Sequence, residues 1–244
     1  VVGLIGGAGE KNVQRGLNRA TQITRAPGST MKPMGVYAPA LEAGLITAAT
    51  TFDEVPTTFK IAGSKDWTPG NNGVYRGLIP VRRAISASSN VVAAKVFNLL
   101  GASASRNFLL KLGISTLSSA DVGAASLALG GLTNGVSPYE HAAAYGTFAN
   151  SGIYIEPKLY TKVVDRQGNT VLEKYSDVRT VMSKENAYIL TSMLQSVVTG
   201  GTGGEASLGS MPVAGKTGTT NSSKDRWFAG YTPYYVGSVW VGYD

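Results

Sequence analysis

Hydrophobic residues recur at helical spacing through the middle of the chain. From Pro80 to Leu112 they return every three or four positions, with an interruption at Ser88-Ser89-Asn90. Ser137-Pro138-Tyr139-Glu140 is a capping box with proline at the first helical position, and Ser183 precedes another apolar helical face. Ser29 to Gly44 can also form a helix, with a proline near its first turn. These patterns predict helices in all four regions.

The pattern changes at both ends of the chain, where apolar residues form short runs bounded by turn formers. The run from Val1 to Ile5 ends at two glycines and predicts a strand. Lys158–Val164 and Thr170–Lys174 predict a hairpin, and residues 50–79 predict an irregular excursion with short strands. Three β-branched or aromatic runs predict adjacent antiparallel strands near the end: Met211–Lys216, Trp227–Tyr231 and Tyr235–Tyr243.

The order of strands, helices and strands predicts an α+β fold, with residues 1–244 as one domain. We expect a mainly antiparallel sheet flanked by helices and built from residues 1–25 and 155–244. A mainly helical and loop subdomain, at about 45–150, is expected as an insertion. The first strand is expected to join the C-terminal strands, because that pairing most easily satisfies its backbone hydrogen bonds.

Composition removes whole classes of chemistry. The 244 residues include no cysteine and one histidine, so the sequence offers no disulfide, no thiol nucleophile and no Cys or multi-His zinc site. Asp53, Glu54 and Asp66 lack the spacing of metal ligands, and we expect neither a metal nor a cofactor. The net charge is +7, but the basic residues are scattered, which predicts a basic solvated surface and no nucleic-acid partner.

The sequence shows no membrane segment or signal peptide of its own. No apolar run reaches the roughly 18 to 20 residues of a membrane span. Because the chain has no initiator methionine and opens on strand-like residues, we expect it to be a piece of something longer. Contact with a membrane is then expected only through a segment outside this chain.

Ser29-Thr30-Met31-Lys32 places a hydroxyl and an amine three residues apart. On a helix the two side chains share a face, within reach of a hydrogen bond. Burial and the positive end of a helix both lower the pKa of a lysine, so a neutral Lys32 could deprotonate Ser29. Backbone N–H groups at a helix start can also hold an oxyanion. On its own the pattern is common, and a capped helix with a surface lysine explains it more simply.

Two other segments offer complementary groups. In Lys216-Thr217-Gly218-Thr219-Thr220, a fixed lysine with flanking hydroxyls can bind a carboxylate, and the glycine leaves room beside the strand for a ligand backbone. A β-turn with a solvated lysine explains this segment about as well. Ser88-Ser89-Asn90 supplies a hydroxyl to pass a proton and an amide to hold a peptide group, although helix N-caps often have this composition.

The order of the three segments along the chain is more specific than any one of them. Ser29-x-x-Lys32, Ser88-x-Asn90 and Lys216-Thr217-Gly218 form the signature set of penicillin-binding proteins and serine β-lactamases. The chain resembles the transpeptidase domain of class A, bifunctional penicillin-binding proteins over essentially all 244 residues. Further segments that carry this likeness are Asn18–Gln22, Pro27–Pro33, Ala128–Gly131, Gly135–Pro138, Thr147–Tyr154 and Asp225–Pro233.

The resemblance implies serine acyl transfer on a D-alanyl-D-alanine stem peptide. Ser29 would attack the peptide carbonyl with Lys32 as its base, and the backbone N–H groups of Ser29 and Thr219 would form the oxyanion hole. Ser88 would relay the proton to the departing D-alanine, and Asn90 would orient the peptide. An amine from a second stem peptide would then form the cross-link, and β-lactams would be slowly released covalent inhibitors.

The resemblance also implies the rest of the site and its location. Lys216 would complete the catalytic set by supplying positive potential. The implied substrate-binding residues are Thr217, Gly218, Thr219 and Thr220. The parent protein would be anchored at the outer face of the bacterial cytoplasmic membrane, with its glycosyltransferase domain and membrane helix outside this chain.

Departures from the family pattern bear on the alternatives. Ser89 stands where class A β-lactamases have aspartate, and no glutamate is assignable as a deacylating base, which argues against efficient β-lactam hydrolysis. A D,D-carboxypeptidase or serine β-lactamase stays open, as does a non-catalytic β-lactam sensor. His141 lies on an alanine-rich helix and is expected to pack or cap rather than to catalyse.

Overall fold

Side-chain caps start three of the helices in the computed structural model, which describes residues 1–10, 12–60, 65–71, 73–220 and 223–243. The hydroxyls of Ser89, Ser137 and Ser183 each accept a hydrogen bond from the backbone N–H three residues later. The helices they start are α3 (Asn90–Leu100), α5 (Pro138–Ala149) and α6 (Lys184–Gly200). The others are α1 (Ala38–Glu42), α2 (Val81–Ser86) and α4 (Ala102–Lys111). The helices predicted in these regions are confirmed.

The segment before α1 changes helix type along its length. It begins as a 3-10 turn at Gly28–Thr30, continues as a π-helix at Pro33–Tyr37 and becomes α1 at Ala38. Pro39 has no N–H to bond the carbonyl of Gly35, and the Ser105 hydroxyl donates to that carbonyl at 2.6 Å instead. A neighbouring helix therefore replaces the backbone hydrogen bond that the proline removes.

All the strands pair in antiparallel fashion, as predicted. They are β1 (Thr51–Glu54), β2 (Gly77–Pro80), β3 (Ile153–Ile155), β4 (Lys162–Val164), β5 (Thr170–Glu173), β6 (Val178–Thr180), β7 (Ala214–Thr219), β8 (Asp225–Tyr231) and β9 (Val236–Gly242). Strands β7, β8 and β9 form a three-stranded sheet in that order, and the register places Lys216 opposite Ala229. The predicted hairpin is β4–β5. The α+β class is confirmed.

The strand predicted at Val1–Ile5 is wrong, and so is the contribution of residues 1–25 to the sheet. The described part of that segment carries no strand, only an isolated bridge between Arg25 and Val136. Val2 and Ile5 are 90% and 85% exposed, so they give the run no buried face to set its register. Gly3 in the middle of the run weakens it further.

The single C-terminal sheet expected from residues 155–244 is also wrong in its extent. Strand β3 pairs with β6 and β4 pairs with β5, each as a separate ribbon away from β7–β9. Every residue of β4 and β5 is exposed, so no apolar face draws this hairpin onto the larger sheet. The short hydrophobic runs predicted strands correctly but did not indicate which strands share a sheet.

The helices cover the three-stranded sheet and fix the position of strand β7. Helix α5 packs on β8 and β9, while α6 packs on β7 and α2. The predicted apolar face of α6 is fully buried at Leu190, Met193 and Leu194. The 3-10 turn at Gly28–Thr30 packs against β7, which joins the helical part to the sheet. Within the described ranges, no helix combines the length and apolar character needed to cross a bilayer.

Candidate active site

Ser29 lies in a backbone turn that packs tightly against the edge of β7. Gly28 has φ +55°, and a Cβ there would lie 2.7 Å from the carbonyl oxygen of Thr219. On the strand, a Cβ at Gly218 would overlap the backbone carbonyl oxygen of Pro27. Both positions need glycine because the two backbones approach more closely than side chains permit. The result is a half-buried Ser29 beside the strand that carries Lys216 and Thr219.

Hydrogen bonds from three directions hold this turn. The Thr30 hydroxyl donates to the Pro27 carbonyl at 2.7 Å, and the Tyr145 hydroxyl donates to the Thr30 carbonyl at 2.8 Å. The indole N–H of Trp227 donates to the Ala26 carbonyl at 3.0 Å. Because helix α5 and strand β8 supply two of these donors, the position of the Ser29 backbone is fixed by the packed part of the fold.

Lys32 is fully buried and donates to three oxygen atoms of the Ser88–Asn90 turn. Its Nζ lies 2.6 Å from the Ser88 carbonyl oxygen, 2.6 Å from Asn90 Oδ1 and 3.2 Å from Ser88 Oγ. All three groups can accept from the amine, which has two hydrogens to donate when neutral and three when protonated. Within the part of the chain that the structure describes, the Ser29 hydroxyl has no hydrogen bond to Lys32. The two groups share a turn, but Lys32 is directed toward Ser88.

Lys216 meets Lys32 on the same hydroxyl group. Its Nζ is buried, donates to Ser88 Oγ at 2.9 Å and donates to the Thr217 carbonyl at 3.0 Å. Burial lowers the pKa of Lys216 to about 7. Burial, together with the charge of Lys216, lowers the pKa of Lys32 well below its usual value, against an opposing effect of Glu54. The direction agrees with the one expected for a buried Lys32, and the charge of Lys216 is a further cause that the sequence did not indicate.

Ser88 adopts a backbone conformation that serine rarely takes. Its φ is 57°, in the left-handed region, which is uncommon for residues other than glycine and is found at constrained sites. The turn is stabilised by both lysines and by the start of α3 immediately after it. The strained turn directs the Ser88 hydroxyl toward the two amines.

The threonines of β7 have different environments. Thr217 is half-buried and shares a 2.7 Å hydrogen bond with the hydroxyl of Thr202, whereas Thr219 is exposed. The Thr220 hydroxyl donates to Asp225 Oδ2 at 2.8 Å and accepts from the Asp225 N–H at 3.0 Å. Thr220 therefore closes the connection between β7 and β8, which leaves Thr217, Gly218 and Thr219 as the part of the segment placed for a ligand.

Three residues around these motifs are missing from the predicted set. Thr202 follows α6 and contacts Thr217, while Asn71 and Glu54 lie behind the Ser88–Asn90 turn. Thr202 comes directly after two glycines at a helix end, and Asn71 lies in a stretch of turn formers. Neither context distinguishes them from ordinary loop residues.

His141 lies outside this group, as expected. It is fully buried between the rings of Tyr145 and Trp227, with centroids 5.1 and 5.0 Å away. Its Nδ1 is 2.8 Å from the Ser238 hydroxyl, and burial lowers its pKa to about 3. A histidine that stays neutral and faces aromatic rings has a packing role here.

Comparison with known proteins identifies the family. The family model described as "Penicillin binding protein transpeptidase domain" matches residues 7–244. The chain belongs to this family. The transpeptidase domain is 41% identical to penicillin-binding protein 1A of Clostridium botulinum over 249 aligned positions, which cover 99% of this chain and 30% of that protein. It therefore spans about a third of the length of the curated relatives that it matches.

Solved structures show the same fold. Penicillin-binding protein 1A from Haemophilus influenzae superposes with a TM-score of 0.82 at 28% identity, covering 93% of this chain and 39% of that one. A D,D-transpeptidase domain of a peptidoglycan glycosyltransferase from Eggerthella lenta gives 0.76 at 25% identity, covering 92% and 62%. The predicted resemblance to the class A family is confirmed, and so is the penicillin-binding protein type of α+β fold.

Proposed function

We propose that this transpeptidase domain is a peptidoglycan D,D-transpeptidase that cross-links stem peptides through an acyl-enzyme on Ser29. The observation that carries the proposal is the convergence of two buried lysines on the Ser88 hydroxyl, beside a half-buried serine and the edge of β7. Family membership and the D,D-transpeptidase name of one structural relative support it.

In acylation, Ser29 Oγ attacks the carbonyl carbon of the penultimate D-alanine and gives its proton to neutral Lys32. Burial and the charge of Lys216 favour the neutral amine. In the free enzyme Lys32 is hydrogen-bonded to Ser88 and Asn90, so substrate binding must bring the amine and the Ser29 hydroxyl together. Catalytic hydrogen bonds are often loose before substrate is bound. The backbone N–H groups of Ser29 and Thr219 would stabilise the oxyanion.

When the intermediate collapses, the carbon–nitrogen bond to the terminal D-alanine breaks and the new amine takes up a proton. Ser88 Oγ contacts both lysines, and this contact supports a role in which it would pass that proton from Lys32 to the leaving amine. Lys216, Thr217 and Thr219 would hold the terminal carboxylate, and an anion beside Lys216 would favour its protonated form. Asn90 would orient the peptide.

The acyl-enzyme is then resolved by an amine of a second stem peptide, which restores the Ser29 hydroxyl and forms the cross-link. Water is a poor alternative here because, within the described residues, no carboxylate is hydrogen-bonded to Ser29 or Lys32 and could activate it. Glu54, the carboxylate behind the Ser88–Asn90 turn, is buried and hydrogen-bonded to Asn71 and Arg76. β-Lactams would therefore acylate Ser29, and the acyl-enzyme would be hydrolysed slowly.

We assign the partners and location by the same reasoning. The donor is a D-alanyl-D-alanine stem peptide, the acceptor is an amine, and β-lactams are covalent inhibitors. The proposal needs no metal or cofactor and includes no nucleic acid. Because such peptides are cross-linked outside the cell, the domain would work at the outer face of the cytoplasmic membrane, with any anchor in a segment outside this chain.

Intact-mass spectrometry after incubation with benzylpenicillin tests the nucleophile. We expect one drug adduct that persists for hours and is absent in Ser29→Ala, with Ser137→Ala as a folded control outside the site. Release of D-alanine from a pentapeptide, with and without an amine acceptor, tests the reaction itself. Amine-dependent product formation is the expected result.

Other outcomes point to the alternatives. Drug consumption without an accumulating adduct would identify a β-lactamase, and release of D-alanine that ignores the amine would identify a carboxypeptidase. A stable adduct without any peptide turnover would identify a sensor. An adduct that survives in Ser29→Ala would contradict the assignment of the nucleophile.

A further inference from the structure

A buried amide lies directly behind the Ser88–Asn90 turn and belongs to none of the three motifs. The Oδ1 atom of Asn71 accepts from the N–H of Asn90 at 2.8 Å, the Ser89 hydroxyl at 3.3 Å and the N–H of Val91 at 3.5 Å. The residue is buried, with 6% of its surface exposed. One oxygen atom therefore satisfies two of the free N–H groups at the start of α3.

The orientation of this amide is fixed from the other side. Asn71 Nδ2 donates to Glu54 Oε1 at 3.0 Å and to the Val74 carbonyl at 2.6 Å. Both of these groups only accept hydrogen bonds while Glu54 is ionised, so a flipped amide would place two acceptors against its own oxygen. Glu54 is in turn held by the N–H of Arg76 at 3.1 Å and by its guanidinium at 2.8 Å.

Glu54 stays charged although it is buried. Burial raises the pKa of its carboxyl, but the neighbouring Ser89 hydroxyl, the hydrogen bonds from Asn71 and Arg76 and the charge of Arg76 outweigh that effect and lower the pKa overall. A buried carboxylate with this many donors is an anchor, because each donor limits where it can move. Within this hydrogen-bond network, Glu54 is fixed by Arg76, and Asn71 is the residue that contacts the Ser88–Asn90 turn.

The same short segment also orients the side chain of Asn90. The Gly70 carbonyl accepts from Asn90 Nδ2 at 2.6 Å, which leaves Asn90 Oδ1 directed toward Lys32. Asn71 and Gly70 therefore fix both the backbone and the amide of Asn90. The strained Ser88, with φ 57°, precedes this fixed point by two residues and needs such support to persist.

We propose that Asn71, held by Glu54, is a positioning residue that keeps the Ser88–Asn90 turn in the geometry required for acyl transfer. The proposal rests on the proposed acyl-transfer function for its effect on rate. Its structural part, that the amide holds the start of α3, stands independently. Two readouts separate the two parts: amide exchange at the turn and the rate of acylation by benzylpenicillin.

Three variants of the full chain test the proposal. Asn71→Ala removes the amide. The swap Asn71→Asp with Glu54→Gln restores a hydrogen bond between the two side chains and keeps an oxygen facing the Asn90 N–H, but the Val74 carbonyl loses its donor. Asn71→Asp alone loses that donor as well and also sets two carboxylates against each other. Ser137→Ala is the matched control, because it removes a comparable helix cap, at the start of α5, without contacting the motifs.

Hydrogen exchange of the peptide spanning residues 88–92 should rise about tenfold in Asn71→Ala and stay at the parent rate in Ser137→Ala. The second-order rate of acylation should fall at least tenfold in Asn71→Ala and in Asn71→Asp alone. In the swap it should be at least about threefold faster than in Asn71→Asp alone while staying below the parent rate, and the control should stay within about twofold of the parent. The thermal midpoint, measured alongside, shows that variant and control are comparably folded.

Unchanged exchange at residues 88–92 in Asn71→Ala would overturn the proposal, whatever the activity. A loss of acylation no larger than that of Ser137→Ala would do so as well. If Asn71→Ala does not fold, the test rests on the acylation rates of the swap and of Asn71→Asp alone. Equal rates in these two variants would contradict a role for the Asn71–Glu54 pair. A parent protein that reacts with no β-lactam would instead refute the proposed function, while exchange would still report on the turn.

Discussion

Two regions of this domain bury titratable side chains, and they differ in what those side chains face. Lys32 and Lys216 donate to oxygen atoms that converge on Ser88, next to a half-buried serine. His141 is buried as completely, but it packs between two aromatic rings, with Nε2 lacking a hydrogen-bond partner in the described residues. Burial lowers the pKa in all three cases.

The difference shows that a lowered pKa indicates a catalytic site only where the group can exchange its proton with a nucleophile or a substrate. The Ser88 hydroxyl contacted by the lysines lies beside Ser29 and strand β7, whereas the Ser238 hydroxyl contacted by the histidine belongs to none of the three motifs. The first arrangement can support proton transfer, and the second contributes to stability through packing. The two regions should therefore respond differently to substitution, one in rate and the other in acid stability.

The largest effect is expected from Lys32→Met, which keeps the length of the side chain and removes the amine. Acylation by benzylpenicillin should slow by about a hundredfold to ten-thousandfold, because the loss of a general base typically costs that much. Stopped-flow measurement of acylation checks the rate. Lys95→Met is the matched control, since Lys95 donates to the Asp53 carbonyl outside the motifs, and it should react like the parent. Equal rates in the two variants would place the base elsewhere.

His141→Gln should change acid stability and slow acylation far less than Lys32→Met, because His141 reaches the Ser29 turn only through Tyr145 and Trp227. The folded pKa of about 3 lies below the unfolded value of roughly 6.5, so the unfolded state binds the extra proton between these pH values. His141 therefore costs no stability above pH 6.5, and stability is lost progressively as the pH falls toward 3. At pH 4 the loss should reach about 3 kcal/mol.

Urea unfolding of parent and His141→Gln at pH 7 and pH 4 measures this difference. Removing the histidine should make the fall in unfolding free energy between the two pH values smaller by about that amount. The same fall in both proteins would show that His141 is not the group responsible. A large loss of acylation in this variant would contradict the separation of the two regions.

The smallest effect is expected at the rim of the lysine region. Thr202→Val removes the hydroxyl that bonds Thr217 and keeps the shape of the side chain. Loss of one hydrogen bond of about 1 kcal/mol predicts roughly fivefold slower acylation, through weaker positioning of Thr217. Thr199→Val is the control, because that hydroxyl bonds only the Gln195 carbonyl in its own helix. Indistinguishable rates would remove Thr202 from the site.

Local patterns explain why most helices were predictable from the sequence. The caps at Ser137 and Ser183 act within three residues, so the sequence contains the whole interaction. The separate sheets were not predictable from the sequence. Strands such as Lys162–Val164 and Val236–Gly242 have similar apolar sequences, and only the fold shows which strands they pair with. The exposed run at Val1–Ile5 failed for the same reason.

The motifs in the site were predictable because their order is specific, but their contacts were only partly so. The direction of the Lys32 pKa shift follows from burial. Its preference for Ser88 over Ser29 depends on acceptors 56 residues away along the chain. Thr202 and Asn71 act on residues 15 and 19 positions away, and no local pattern identifies them. Long-range hydrogen bonds are the part of the site that only the folded structure supplies.

A crystal structure of the domain after reaction with benzylpenicillin would test the central claim most directly. We predict continuous density from Ser29 Oγ to the penicilloyl carbonyl carbon, with its oxygen within hydrogen-bond distance of the backbone N–H groups of Ser29 and Thr219, and the drug carboxylate beside Thr217 and Thr219. Drug attached at another residue, or a carbonyl oxygen directed away from β7, would contradict the account of one acyl-transfer site formed by the three segments.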